Sequence, residues 1–70
     1  MDRQSVRSSN ISSIGYDEKN EILEIEFLSG GIYQYLDVPN YVFEELMDAE
    51  SQGKYFNAYV KDNYETTKIR

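Results

Sequence analysis

Glu24 and Glu26 stand two residues apart in an alternating run, so an extended backbone carries both carboxylates on one face, about 7 Å apart at Cα. Carboxylate pairs of this kind serve glycosidases and hard-metal sites. Tyr33 and Tyr35 repeat the spacing a few residues later. Alternate aromatics on a strand offer a platform for nucleobases, worth about 1–3 kcal/mol per stacked base. A third group, Lys54-Tyr55-Phe56-Asn57 with Lys61, combines cations, aromatics and an amide in the manner of a nucleic-acid contact.

Each group also has a plainer reading. The sequence has no histidine and no cysteine, which removes the commonest general base and the commonest transition-metal ligands. Catalysis, a metal and a cofactor are therefore not expected, and Glu24 and Glu26 read as a solvated face. Tyr33 and Tyr35 can pack under helices with their hydroxyls at the rim. Lys54 and Lys61 can be solvated while Phe56 is buried. Asn57 either bonds a carbonyl of the Ser51–Gly53 turn or serves as a recognition amide. Asp17-Glu18-Lys19-Asn20 lacks the spacing of a calcium loop, and a turn accounts for it.

The elements that position these groups follow from periodicity. Asn10 to Tyr16, with Ile14 and Tyr16 two apart, reads as a first strand. From Glu21 to Leu28, Leu23, Ile25 and Phe27 fall on one face and Glu24 and Glu26 on the other. Ser29-Gly30-Gly31 turns the chain into a third strand, Ile32 to Leu36. Asp37-Val38-Pro39 ends the sheet, and Pro39 fits the first turn of a helix. Val42, Leu46 and Ala49 then make an apolar stripe that reaches about Glu50, widened by Phe43 and Met47. Ser51-Gln52-Gly53 breaks that helix and supplies a cap for a second one, about Lys54 to Asp62. The expectation is an α+β domain of order β-β-β-α-α: a three-stranded antiparallel meander with two short helices packed on one face. Residues 8–64 would form the domain, with 1–7 and 65–70 as flexible tails.

Loop length decides where the tyrosines point. A two-residue hairpin loop puts Tyr33 and Tyr35 on the Glu24/Glu26 face. A three-residue loop, Ser29 to Gly31, puts them beside Leu23, Ile25 and Phe27 and gathers Glu24, Glu26 and Gln34 on the opposite side. The longer loop separates polar from apolar better and is preferred. It leaves Leu28, Ile32 and Leu36 on the outer face, a candidate interface for a partner or a second copy.

A chain of 70 residues, 40% hydrophobic with ten aromatics, is one small domain near the lower size limit for folding alone. It has no apolar run long enough to span a membrane and no signal-peptide pattern at Met1–Ser13. Together with the lack of cysteine, this favours a cytoplasmic protein. The net charge of −6 is uneven. Residues 16–50 hold ten acids against Lys19, whereas Lys54, Lys61, Lys68 and Arg70 outnumber Asp62 and Glu65 in the last twenty. The acidity disfavours RNA in general but leaves a basic C-terminal edge.

The runs Ser8-Ser9-Asn10-Ile11, Ile14-Gly15-Tyr16-Asp17 and Leu23-Glu24-Ile25-Glu26-Phe27 occur in that order. Ser29-Gly30-Gly31-Ile32-Tyr33-Gln34-Tyr35, Val38-Pro39 and Ser51-x-Gly53-x-Tyr55-Phe56-Asn57 follow them. This succession resembles the KTSC domain over about residues 8–64, with Tyr33-x-Tyr35 matching its Y-x-Y motif. That family occurs as small stand-alone bacterial proteins and as a module appended to some lysyl-tRNA synthetases. The resemblance implies no catalytic residues, and the synthetase association implies RNA as one partner to consider. The expected function is a non-catalytic interaction module that binds a protein partner or forms a homodimer. The alternative is an accessory, tRNA-related RNA-binding module using Tyr33, Tyr35, Lys54, Tyr55, Asn57 and Lys61.

Overall fold

The alternation of Leu23 and Ile25 with Glu24 and Glu26 builds the middle strand of a five-stranded sheet. The computed structural model describes all 70 residues. Its strands are β1 (Arg3–Ser5), β2 (Ile11–Asp17), β3 (Ile22–Phe27), β4 (Ile32–Tyr35) and β5 (Thr66–Lys68), paired in that order. Every neighbouring pair is antiparallel. Helices α1 (Asn40–Asp48) and α2 (Gln52–Tyr59) lie between β4 and β5 in the chain.

The α+β class holds, but the three-stranded meander gains a strand at each edge. The segments 1–7 and 65–70, expected as tails, carry β1 and β5. All six residues of these strands are exposed, so they show no apolar alternation. Their pairing rests on backbone bonds to β2 and β4, which leave no signature in side-chain pattern.

The β3–β4 hairpin has the three-residue parity, with Ile25 opposite Tyr33 and Leu23 opposite Tyr35. The tyrosines thus share the helix-covered face with Leu23 and Ile25. The loop itself lies one residue earlier than expected, at Leu28-Ser29-Gly30. The Phe27 N–H donates to the Gly31 carbonyl at 2.9 Å, and the Gly30 N–H donates to the Phe27 carbonyl at 2.9 Å. Gly30 takes φ +104°, the positive angle that closes such a loop, while Gly31 has none to accommodate. Glycine's freedom at position 30 therefore sets the register.

Ten side chains form the core between sheet and helices: Ile11, Ile14, Leu23, Ile25, Tyr35, Val38, Val42, Leu46, Phe56 and Val60. Pro39 precedes α1, whose Val42 and Leu46 face inward. Helix α2 starts two residues before Lys54, because the Ser51 hydroxyl accepts the Lys54 N–H at 3.2 Å and caps it from there. Gly53, expected as part of a break, is instead buried in the first turn of α2. A Cβ there would lie 2.6 Å from Asn10 Oδ1, so the helix packs directly against the side chain that precedes β2.

The uncovered face of the sheet is not the solvated carboxylate face that was expected. Glu24 is only 6% exposed and accepts from Gln34 Nε2 at 2.8 Å. The Arg3 guanidinium pairs with Glu24, donates from Nε to Ser13 Oγ at 2.9 Å, and lies 4.0 Å from Glu26. Ser13 Oγ donates to Glu26 Oε1 at 2.8 Å, and Arg70 reaches the other oxygen at 3.6 Å. Both cations come from the segments read as tails, which is why the network could not be seen in the isolated β3 pattern. Burial raises the Glu24 carboxyl, but the bonds from Gln34 and Arg3 outweigh it and hold the group below its ordinary value.

Candidate functional site

An open cleft of about 460 Å³ lies between α2 and the β4–β5 edge of the sheet. Its floor is aromatic, because β3 and β4 alternate their rings onto the helix-facing side. Phe56 of α2 meets Phe27 edge to face at 5.5 Å and Tyr35 at 5.3 Å, and Phe27 meets Tyr33 at 5.7 Å. Such edge-to-face packing fixes the rings without a flexible intermediary. Asn57 of α2 and Lys61, in the turn just past the end of that helix, stand above this floor with Asp62 beside them. Asn10, Ser29 and Thr66 complete the rim, so β5 supplies part of one wall.

The structure therefore brings Tyr33 and Tyr35 of β4, Asn57 of α2 and Lys61 of the turn after α2 together. Tyr35 is buried and Tyr33 half-buried. Burial, with a smaller contribution from Tyr33, pushes the Tyr35 hydroxyl up to about 12, so it remains a neutral hydrogen-bonding group at physiological pH. Lys68 of β5 holds its ammonium 6.0 Å from the Tyr33 ring centroid, within range of a cation–π contact. The arrangement offers an aromatic base, two amides, Asn10 and Asn57, able both to donate and to accept, Lys61 next to Asp62, and Lys68 over the Tyr33 ring. It can hold a planar, polar-edged group carrying negative charge nearby. No three acidic side chains gather in a geometry that would hold a metal ion.

Lys54 and Tyr55 lie outside the cleft. Lys54 is exposed on the first turn of α2. Tyr55 turns toward α1, where its hydroxyl donates to Glu45 Oε1 at 2.6 Å. The expected interface set is also dispersed. Leu28 is 60% exposed in the hairpin loop, Ile32 is buried at 5% opposite Glu26, and Leu36 is half-buried past the end of β4. These three do not make one apolar patch, because the register places Leu28 in the turn and pairs Ile32 with β3 and with the strand-like residues Ile69 and Arg70.

Phe27 and Asn10 were not anticipated as site residues, and Phe56 was read mainly as a buried residue of the second helix. The phenylalanines read correctly as apolar, and nothing in their spacing marks them as a cleft floor. Asn10 carried a usable signal. It follows two serines, and Ser8 Oγ accepts the N–H of Asn10 and of Ile11 at 3.4 and 3.3 Å, an ST-type turn that aims the amide at Gly53.

A five-stranded antiparallel sheet, two helices on one face and one cleft at its edge define a small α+β module. The model of the KTSC domain matches residues 7–64, and the chain belongs to that family. It is 42% identical over 64 residues to an uncharacterised protein of Stutzerimonas stutzeri, covering 91% of this chain and 90% of that one. It is also 40% identical over 61 residues to a lysine–tRNA ligase of Nostoc punctiforme, covering 87% of this chain but 11% of the ligase. A crystal structure of a KTSC domain protein from Yersinia pestis superposes with a TM-score of 0.96 at 45% identity, over 99% of this chain and 97% of the other. That superposition takes in β1 and β5, which fall outside the family match.

Proposed function

We propose that this chain is a non-catalytic binding module that takes an unpaired nucleotide of RNA in the cleft between α2 and β4. The observation that carries the reading is the convergence of Tyr33, Tyr35, Asn57 and Lys61 over one aromatic floor. A base stacks on rings, an amide reads its edge, and Lys61 and Lys68 face the adjoining phosphates. The acid excess lies elsewhere, in the Asp17–Glu21 turn, on α1, and on the sheet face where Arg3 and Arg70 pair with it. The similarity to a segment of lysine–tRNA ligases supports tRNA as the first RNA to test.

With two or three cations engaged, binding is weak and falls with salt at a log–log slope of about −2. An NMR shift-perturbation titration with tRNA at low salt is expected to move Tyr33, Asn57 and Lys61. Lys61→Ala should weaken the response several-fold, and Lys54→Ala, outside the cleft, should leave it nearly unchanged. No perturbation at the cleft under these conditions would end the RNA reading.

A further inference from the structure

The opposite flank of α2 presents a second surface. Tyr55 and Tyr59 meet as a tilted pair at 4.8 Å and 42°, and the Tyr55 hydroxyl is fixed to Glu45 of α1. Tyr41 and Tyr59 are 61% and 59% exposed, among the most exposed large hydrophobic side chains in the molecule. Tyr41 and Tyr64 lie close enough to Tyr55 to add to the upward shift of its hydroxyl pKa, behind burial and the bond to Glu45. Four of the seven tyrosines thus share one face.

On the α1 side of this face the charge is one-sided. Helix α1 carries Glu44, Glu45 and Asp48 and no base, and all three ion pairs of the molecule lie on the far side of the sheet. Asp48 ends α1 and Glu50 follows it, at the helix end where negative charge is unfavourable. Exposed rings and an unneutralised acidic helix end both work against solubility or stability in isolation. One kind of group satisfies both: a guanidinium, which stacks on tyrosine faces while its charge meets the carboxylates.

We infer that the Tyr41/Tyr55/Tyr59 face of α1 and α2 docks an arginine-rich segment of a partner protein. The occupant is fixed by charge complementarity: an acidic or neutral segment would leave Glu44, Glu45 and Asp48 unpaired, and a purely apolar one would desolvate them. RNA is repelled from this face by the same acids, so the two surfaces are separable.

The test uses the full chain and a hexa-arginine peptide as probe, followed by NMR and by tyrosine fluorescence at 150 mM salt. The expected result is saturable binding with shifts at Tyr41, Tyr55, Tyr59 and Glu45. Tyr41→Ala with Tyr59→Ala removes exposed rings only, and should weaken binding about tenfold. Hexa-lysine should bind several-fold less tightly than hexa-arginine. Equal affinity of the two peptides, no loss in the double variant, or shifts centred on the Asp17–Glu21 turn would each overturn the inference. Lys61→Ala should leave peptide binding unchanged, so failure here is distinguishable from failure of the RNA reading.

Discussion

Gly53 shows how one missing side chain ties two distant runs together. It reads naturally as a helix breaker, and alanine in its place would improve helix propensity by about 1 kcal/mol. Against that gain, the new methyl would stand 2.6 Å from Asn10 Oδ1, the tip of an exposed side chain that can turn aside at the cost of its bond from Ser8. Gly53→Ala is therefore expected to shift stability by less than about 1 kcal/mol in urea denaturation. Asn10→Ser, which removes the obstacle, should make Gly53→Ala more favourable, since the two sites are in contact and couple. At this scale the cleft was half legible. Tyr33, Tyr35, Asn57 and Lys61 announce themselves by chemistry and spacing. Asn10 is marked only by the serines before it, and Phe27 and Phe56 are not marked, because their part in the site depends on ring contacts between segments far apart in sequence.

Among the elements, β3 and β4 were readable because one face of each is buried and the other is not. The parity of the hairpin followed from the same contrast, whereas the loop position depended on which glycine takes positive φ. Strands β1 and β5 bury nothing, so no alternation marks them. The β2–β3 turn holds a second strained backbone position: Glu21 sits at φ +55° and offers its carbonyl to the Val38 N–H at 2.9 Å. A glutamate in this region costs about 1–2 kcal/mol relative to a residue that adopts it readily. Glu21→Asn is therefore expected to raise the urea midpoint, by about 0.5–1 kcal/mol of stability, without changing the slope of the transition.

The polar network on the open sheet face acts on the molecule as a whole. It joins side chains from β1, β2, β3 and β4 with Arg70, and its centre is the buried Glu24. Because the folded carboxyl is held below its ordinary value, its contribution is present above the unfolded value of about 4.3 and is lost as pH falls through the folded one. Stability is thus expected to decline in acid below about pH 4. Arg3→Ala should cost about 2 kcal/mol at neutral pH and flatten that acid limb. Hydrogen exchange would locate the loss in the β1–β2 pairing rather than in the helices. Net charge gave a fair picture of an acidic protein, but not of its partition into a neutralised sheet face, an unneutralised α1 and a cationic cleft edge. That partition arises from pairings between residues far apart in sequence.

The close fit of β1 over Gly15 has a consequence for solubility. A Cβ at Gly15 would fall 2.7 Å from the Asp2 carbonyl, so the short first strand lies tightly across β2. Proteolytic loss of the first seven residues would strip that cover. The backbone groups of β2 would then form an open border of the sheet, next to a glutamate deprived of its cation. A border of that kind is open to the same border of another copy, so the pairing of β1 with β2 covers an edge prone to aggregation as well as adding stability.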